Sequence, residues 1–286
     1  MAHRVMAAAV VVVSLVPVPA RGQTPDLQGH WQHDAVLAGH SVEDGRNPAN
    51  DIITGEYLAG RVSRSGERNP TVIVEPADGR IPYQPTAAVK RDEFLANFDT
   101  PTKLEHIDPH ARSLLDGVPR ANYDPVGELQ IVQVPGYVLI LYESGHAFRA
   151  IPMDGRPHLS DGVQLFMGDS RGRWEGQTLV VDVTNFNDRT WFDTHGTFHS
   201  DALHVVERWT LVGPDQIAYE VTIEDPKVFT SPWKMAFNMN RRTEKDYEQW
   251  EVASVEGDRN VEQMLAGGRR EKEAGRTGIH EHRRAR

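Results

Sequence analysis

Cysteine is absent from this 286-residue chain, so neither a disulfide framework nor thiolate chemistry is available. Long apolar runs are nearly absent too. The single one, Val5 to Val16, follows His3-Arg4 and precedes the small-residue pattern Val18-Pro19-Ala20. It is short for a bilayer span and has the layout of a secretory signal, so residues 1–22 are expected to be removed on export. The exported protein, periplasmic or extracellular, is then not expected to insert stably in a membrane. Positive charge is in deficit, 31 Lys and Arg against 41 Asp and Glu, giving a net charge of −10. That balance argues against nucleic acid as a partner. The chain also lacks a Walker A loop, a Gly-x-Gly-x-x-Gly turn after a strand, a Gly-x-Ser-x-Gly elbow and a His-Glu-x-x-His helix. No nucleotide cofactor is therefore expected, and no other cofactor is indicated.

What the chain does have is alternation. From Gln177 to Asn185, Leu179, Val181 and Val183 share one parity, with Thr178, Asp182 and Thr184 on the other. Glu175-Gly176 before this run reads as a tight turn. From Ser200 to Val212, the apolar parity holds Leu203, Val205, Trp209 and Leu211. After the Gly213-Pro214-Asp215 turn it holds Ile217, Tyr219, Val221 and Ile223. Three such runs with short links predict an antiparallel meander and an all-β fold. Gln130 to Tyr142 reads as a buried strand with a bulge or bend at Pro135-Gly136, and His146 to Ile151 as its partner. Met235 to Asn240 and Tyr247 to Val255 are expected to complete the sheet.

Around this core, residues 23–255 are expected to form one barrel domain, with residues 41–125 inserted as loops and one or two helices. Thr86 to Phe98 has helical spacing, offering Val89, Phe94, Leu95 and Phe98 to one face. Residues 256–286 are expected to be a short helix over Asn260 to Ala266, stopped by Gly267-Gly268, and a disordered basic tail.

Gly29-x-Trp31 near the start of the mature chain is similar to the opening of lipocalin-like (calycin) barrels. In that fold the tryptophan closes the bottom of the barrel and packs near an arginine from a late strand, for which Arg208 and Arg241 are candidates. The segments Gln133-Val134-Pro135-Gly136-Tyr137, Asp154-Gly155-Arg156-Pro157-His158, Gly168 to Gly176 and Phe198 to His204 also resemble a family of exported bacterial proteins of unassigned function. Ser254-Val255-Glu256-Gly257 departs from it, standing where Cys-His-Glu-Gly would be expected.

The functional candidates are misfits in the alternation. Glu207 falls on the apolar parity between Val205 and Trp209, and a buried carboxylate needs a partner, a shifted pKa or a wet cavity. Arg149, Arg171 and His199 are the candidate partners. His199, Asp201, Glu207, Tyr219 and Asp225 would converge on one hollow if the parity held, forming a set suited to acid–base chemistry of lyase, isomerase, hydratase or hydrolase type. Arg171, Trp174, Trp191, Phe192, His146 and Trp233 are candidate contacts for a small hydrophobic or ring-bearing molecule. Two alternatives stand beside this. One is a carrier of a small apolar ligand, as many lipocalins are. The other is a metal-dependent enzyme using His199-x-Asp201 with His146, His195 or His204. Each residue taken singly also fits a structural role: Glu207 in an ion pair, the aromatics as core, and Asp169 bridged to Arg171. The number of copies in the assembly is not legible in the sequence.

Overall fold

The alternation after Gln177 is realised over four consecutive strands. The computed structural model describes residues 24–34, 41–43, 72–123 and 128–275. In chain order the strands are β1 (Gly29–His33), β2 (Ile73–Glu75), β3 (Leu129–Val134), β4 (Tyr137–Tyr142), β5 (Phe148–Pro152), β6 (Asp169–Glu175), β7 (Thr178–Thr184), β8 (His204–Gly213), β9 (Gln216–Glu224) and β10 (Trp233–Arg241). The helices are α1 (Pro85–Ala96) and α2 (Asn260–Glu273), with short 3-10 turns between α1 and β3. The expected signal segment and the end of the basic tail lie outside the described residues.

All strand pairs are antiparallel, in the order β5-β4-β3-β1-β10-β9-β8-β7-β6, with β2 added to β10. The two edges of this row approach each other. The side of β6 at Gly172 presses on Ile151 of β5, where an added Cβ would lie 2.8 Å from its Cγ2. Arg149 of β5 reaches Ser170 of β6 at 3.0 Å. The result is an all-β, nearly closed antiparallel barrel. Among the described residues, no helix is long and apolar enough to cross a membrane.

Register stacks the inward side chains in tiers. Leu179, Trp209, Tyr219 and Phe237 lie side by side on β7 to β10; Val181, Glu207, Val221 and Met235 form the next tier; Val183, Val205, Ile223 and Trp233 the third. All twelve are buried. Side chains this large removed from water supply the main driving force for folding, about 1.5–3 kcal/mol for each aliphatic one.

Trp31 marks the foot of the barrel, and the structure selects Arg241 over Arg208 as its partner. The two are paired across β1 and β10, and the guanidinium lies 4.2 Å from the indole centroid. The same guanidinium donates to the carbonyls of Gln28 and Pro214, and Trp31 Nε1 donates to Leu27 O at 2.9 Å. This explains the glycine of the motif. Gly29 has φ +125, and a Cβ there would come 2.6 Å from Arg241 Nη1. Gly29→Ala is therefore expected to cost about 1–3 kcal/mol, read as a lower midpoint in urea unfolding, because the clamped arginine must move.

Five expectations need correction. Pro135-Gly136 is no bulge within one strand; it is the turn of a hairpin, with Val134 opposite Tyr137 and Gly136 at φ +82. Ser200 to Leu203 is a turn, and β8 begins only at His204. Tyr247 to Val255 forms no strand, merely an isolated bridge between Ser144 and Val252. On α1, Ala87 and Phe94 face inward while Val89 is 72% exposed. Finally α2 runs straight through Gly267-Gly268. Gly268 meets the backbone of Pro101, and any Cβ there would collide with the Pro101 carbonyl. The glycine permits close approach rather than ending the helix.

Candidate functional site

The middle tier holds the anomaly. Glu207 is 0% exposed among valines and a methionine, and Arg149, 3% exposed, meets it from across the barrel. Arg149 Nη1 donates to Glu207 Oε1 at 3.1 Å, and Nη2 donates to Oε2. Oε1 also accepts from Asn122 Nδ2 at 2.8 Å and from the Tyr219 hydroxyl at 3.0 Å. Asn122 Oδ1 in turn accepts from the Tyr142 hydroxyl at 2.8 Å. Five elements thus contribute to one network: β4, β5, β8, β9 and the 3-10 turn Arg120–Asn122.

Its electrostatics are self-consistent. Burial works against the Arg149 charge, yet the adjoining Glu207 carboxylate more than compensates, holding its pKa above the ordinary value. Burial pushes the Tyr142 phenol up to about 12. Burial and the neighbouring Glu207 charge raise Tyr219 well above its usual range. Both phenols therefore remain donors. A buried ion pair of this kind adds little net stability, but it fixes which side chains meet, because breaking it strands a charge.

The candidates His199, Asp201 and Asp225 do not join this network. His199 is buried, but in the segment between β7 and β8. Its Nε2 lies 2.6 Å from Thr190 Oγ1 and its Nδ1 2.9 Å from Ser200 O. It packs on Phe186 and Phe192, and Phe192 packs edge-on against Trp233. The Trp233 tier therefore stands between His199 and Glu207. Asp225 holds the same segment, accepting from Ser200 N at 2.6 Å and Ser200 Oγ at 2.8 Å. Asp201 is exposed and pairs with Lys227 at 2.6 Å. The regular alternation that would bring His199 and Asp201 inside begins only at His204, the start of β8, beyond both of them. Tyr219 is the one predicted catalytic residue brought to Glu207.

Burial lowers the His199 pKa, an effect that the Ser200 carbonyl only partly offsets. The native state therefore binds fewer protons than the unfolded chain below the ordinary value of 6.5. Stability rises with pH across that window and is lost as pH falls through 6.5 toward the folded value. His199→Asn is expected to flatten this acid limb in denaturation measured between pH ~4 and ~7.

Of the predicted ligand contacts, Trp191, Phe192 and Trp233 are buried together at the His199 end, with Phe94 tilted 5.0 Å from Trp191. Trp174 is half-buried against the core. Arg171 is turned to Asp169 at 2.6 Å and to the Pro157 carbonyl at 2.9 Å. It fixes the segment before β6, whose strand begins at Asp169. His146 does not line the interior: it is exposed at φ +53 and bonds Glu251. The metal set is likewise dispersed. Among the described residues, no group of three His, Asp or Glu side chains is placed to hold a metal ion.

Sequence reasoning missed Asn122, Tyr142 and Ser170. Tyr142 shares parity with Val138 and Ile140 on β4 and was legible as an inward position. Asn122, in a 3-10 turn remote in sequence, carried no periodic signal. Also unforeseen is a half-buried chain on the outer wall. There His158 lies 2.9 Å from Asp169 and 2.8 Å from Asp182, and His204 lies 3.2 Å from Asp182. It straps the segment before β6 to β7 and β8.

These features define a nearly closed β-barrel around a buried ionic centre. No family model matches the chain, and no curated protein does; the resemblance to exported bacterial proteins finds no support there. Among solved structures, a mutant of the fluorescent protein UnaG aligns at 14% identity and a TM-score of 0.25, covering 47% of this chain and 86% of that one.

Proposed function

We propose that the protein is an exported small-molecule-binding barrel, and that the Arg149–Glu207 network organises its interior rather than performing acid–base chemistry. Export rests on the layout of residues 1–22. The binding reading is supported chiefly by one observation. The indole N–H groups of Trp209 and Trp233 are fully buried and have no hydrogen-bond partner among the described residues. Polar groups so deeply buried are satisfied in more than about nine cases of ten. An acceptor from outside the polypeptide completes them, and the surrounding aromatics suit a ring-bearing guest. Against catalysis by Glu207 stands its saturation: Oε1 accepts three donors and Oε2 is held by Arg149.

Titration with Nile red, an uncharged fused-ring dye bearing a carbonyl, tests the reading. Saturable one-to-one binding with blue-shifted emission is expected. No emission change, or one that grows linearly without saturating, would contradict it.

A further inference from the structure

The geometry points to a guest of defined chemistry: an uncharged, ring-bearing molecule that presents a carbonyl or ether oxygen, with carboxylates of the same shape rejected. This rests on the binding reading above and goes further, since a barrel interior alone says nothing of charge.

The first argument is the placement of the orphan donors. Trp31 donates to a backbone carbonyl, and Trp250 is 76% exposed to solvent. The two unsatisfied indoles are those of the tiers on either side of Glu207, and both face inward. Indole N–H is a donor only, so what it lacks is an acceptor. Purely apolar guests would leave both groups as costly as they are now.

Charge supplies the second argument. Among the described inward positions of the strands the charges are Arg149, Glu207 and, at the foot, Arg241; the first two are committed to each other, and Arg241 to the Trp31 ring, the carbonyls of Gln28 and Pro214, and Asp215. The Arg149 guanidinium places further donors on Ser170 Oγ, at 3.0 Å from Nη2 and 3.4 Å from Nε, and it also bonds the Tyr142 hydroxyl. Among the described inward positions of the strands, no cation is left over for a ligand carboxylate. A further charge brought into this interior would stay uncompensated, and burying an unpaired ion is heavily penalised.

The walls give the third. Trp209 is T-shaped to Tyr219 at 4.8 Å, and Trp233 to Phe192 at 5.5 Å and Phe229 at 5.6 Å. Around each orphan donor there are ring faces and edges, which recognise flat aromatic guests.

Competition against bound Nile red by fluorene, fluorenone and a fluorenone carboxylate separates these terms on the unaltered protein. The three share one ring system and differ in acceptor and charge. Fluorenone is expected to displace the dye about tenfold more effectively than fluorene, one hydrogen bond's worth. The carboxylate is expected to be at least about 100-fold weaker than fluorenone. In Trp209→Phe or Trp233→Phe the ratio of fluorenone to fluorene affinity, compared within each variant, should shrink several-fold. Equal competition by fluorene and fluorenone would overturn the acceptor claim, and a carboxylate as strong as fluorenone the charge claim. If Nile red binds and none of the three displaces it, this inference falls and the binding reading stands. If Nile red does not bind, both fall.

Discussion

Glu207→Ala is expected to lower the unfolding free energy by about 3–5 kcal/mol, the largest effect of any single substitution at the candidate site. The reason is the charge left behind. Arg149 is 3% exposed and has no second carboxylate within reach among the described residues, so removing Glu207 leaves a guanidinium in an apolar tier. Asn122 and Tyr219 lose their acceptor at the same time. Arg149→Met is expected to be comparably damaging for the converse reason. The double variant Arg149→Met with Glu207→Leu should be milder than either single one, because a pair of buried charges replaced by packed side chains strands nothing. Urea denaturation of the four proteins reads this directly. A double variant as unstable as the sum of the singles would show that the network contributes by something other than mutual charge compensation.

The second large effect concerns the foot of the barrel. Trp31→Ala is expected to cost about 3–5 kcal/mol, measured by the same denaturation, since it empties a fully buried site and removes the platform for Arg241. Arg241→Lys should cost less, about 1–2 kcal/mol. A lysine keeps the charge but cannot stack a planar group on the indole while also donating to the carbonyls of Gln28 and Pro214. If Arg241→Lys were as damaging as Trp31→Ala, carbonyl capping by the guanidinium would outweigh the packing of the tryptophan.

How much of this was legible in the sequence follows the reach of each signal. Strands β7, β9 and β10 came through because alternation is local and their inward faces are almost wholly apolar. The same rule exposed Glu207 as a misfit and named Arg149 among its partners, since a carboxylate on an inward face has to be answered. The motif Gly29-x-Trp31 located the foot of the barrel but left Arg208 and Arg241 undecided. That choice depends on register across β1 and β10, which no short segment encodes. Parity failed where it was extended past the end of a strand: His199 and Asp201 precede β8, and Asp201 turns out to solvent. β6 was hidden because Gly172 and four charged residues break its pattern. Its glycine is demanded by Ile151 and Met153 of the facing segment, a contact that exists only once the barrel closes. Gly267-Gly268 misled for a similar reason, its purpose being set by Pro101, far away in the chain.

The reading of the interior as a binding site for neutral ring molecules is tested most directly at the two orphan donors themselves. In proton–nitrogen correlation spectra of the labelled protein, the indole N–H signal of Trp209 or of Trp233 should shift on adding fluorenone, downfield at the donor that forms the hydrogen bond to the guest oxygen. The signal of Trp250 should stay in place. Shifts confined to Trp250, or none at all while fluorenone is bound, would place the ligand elsewhere and contradict the account.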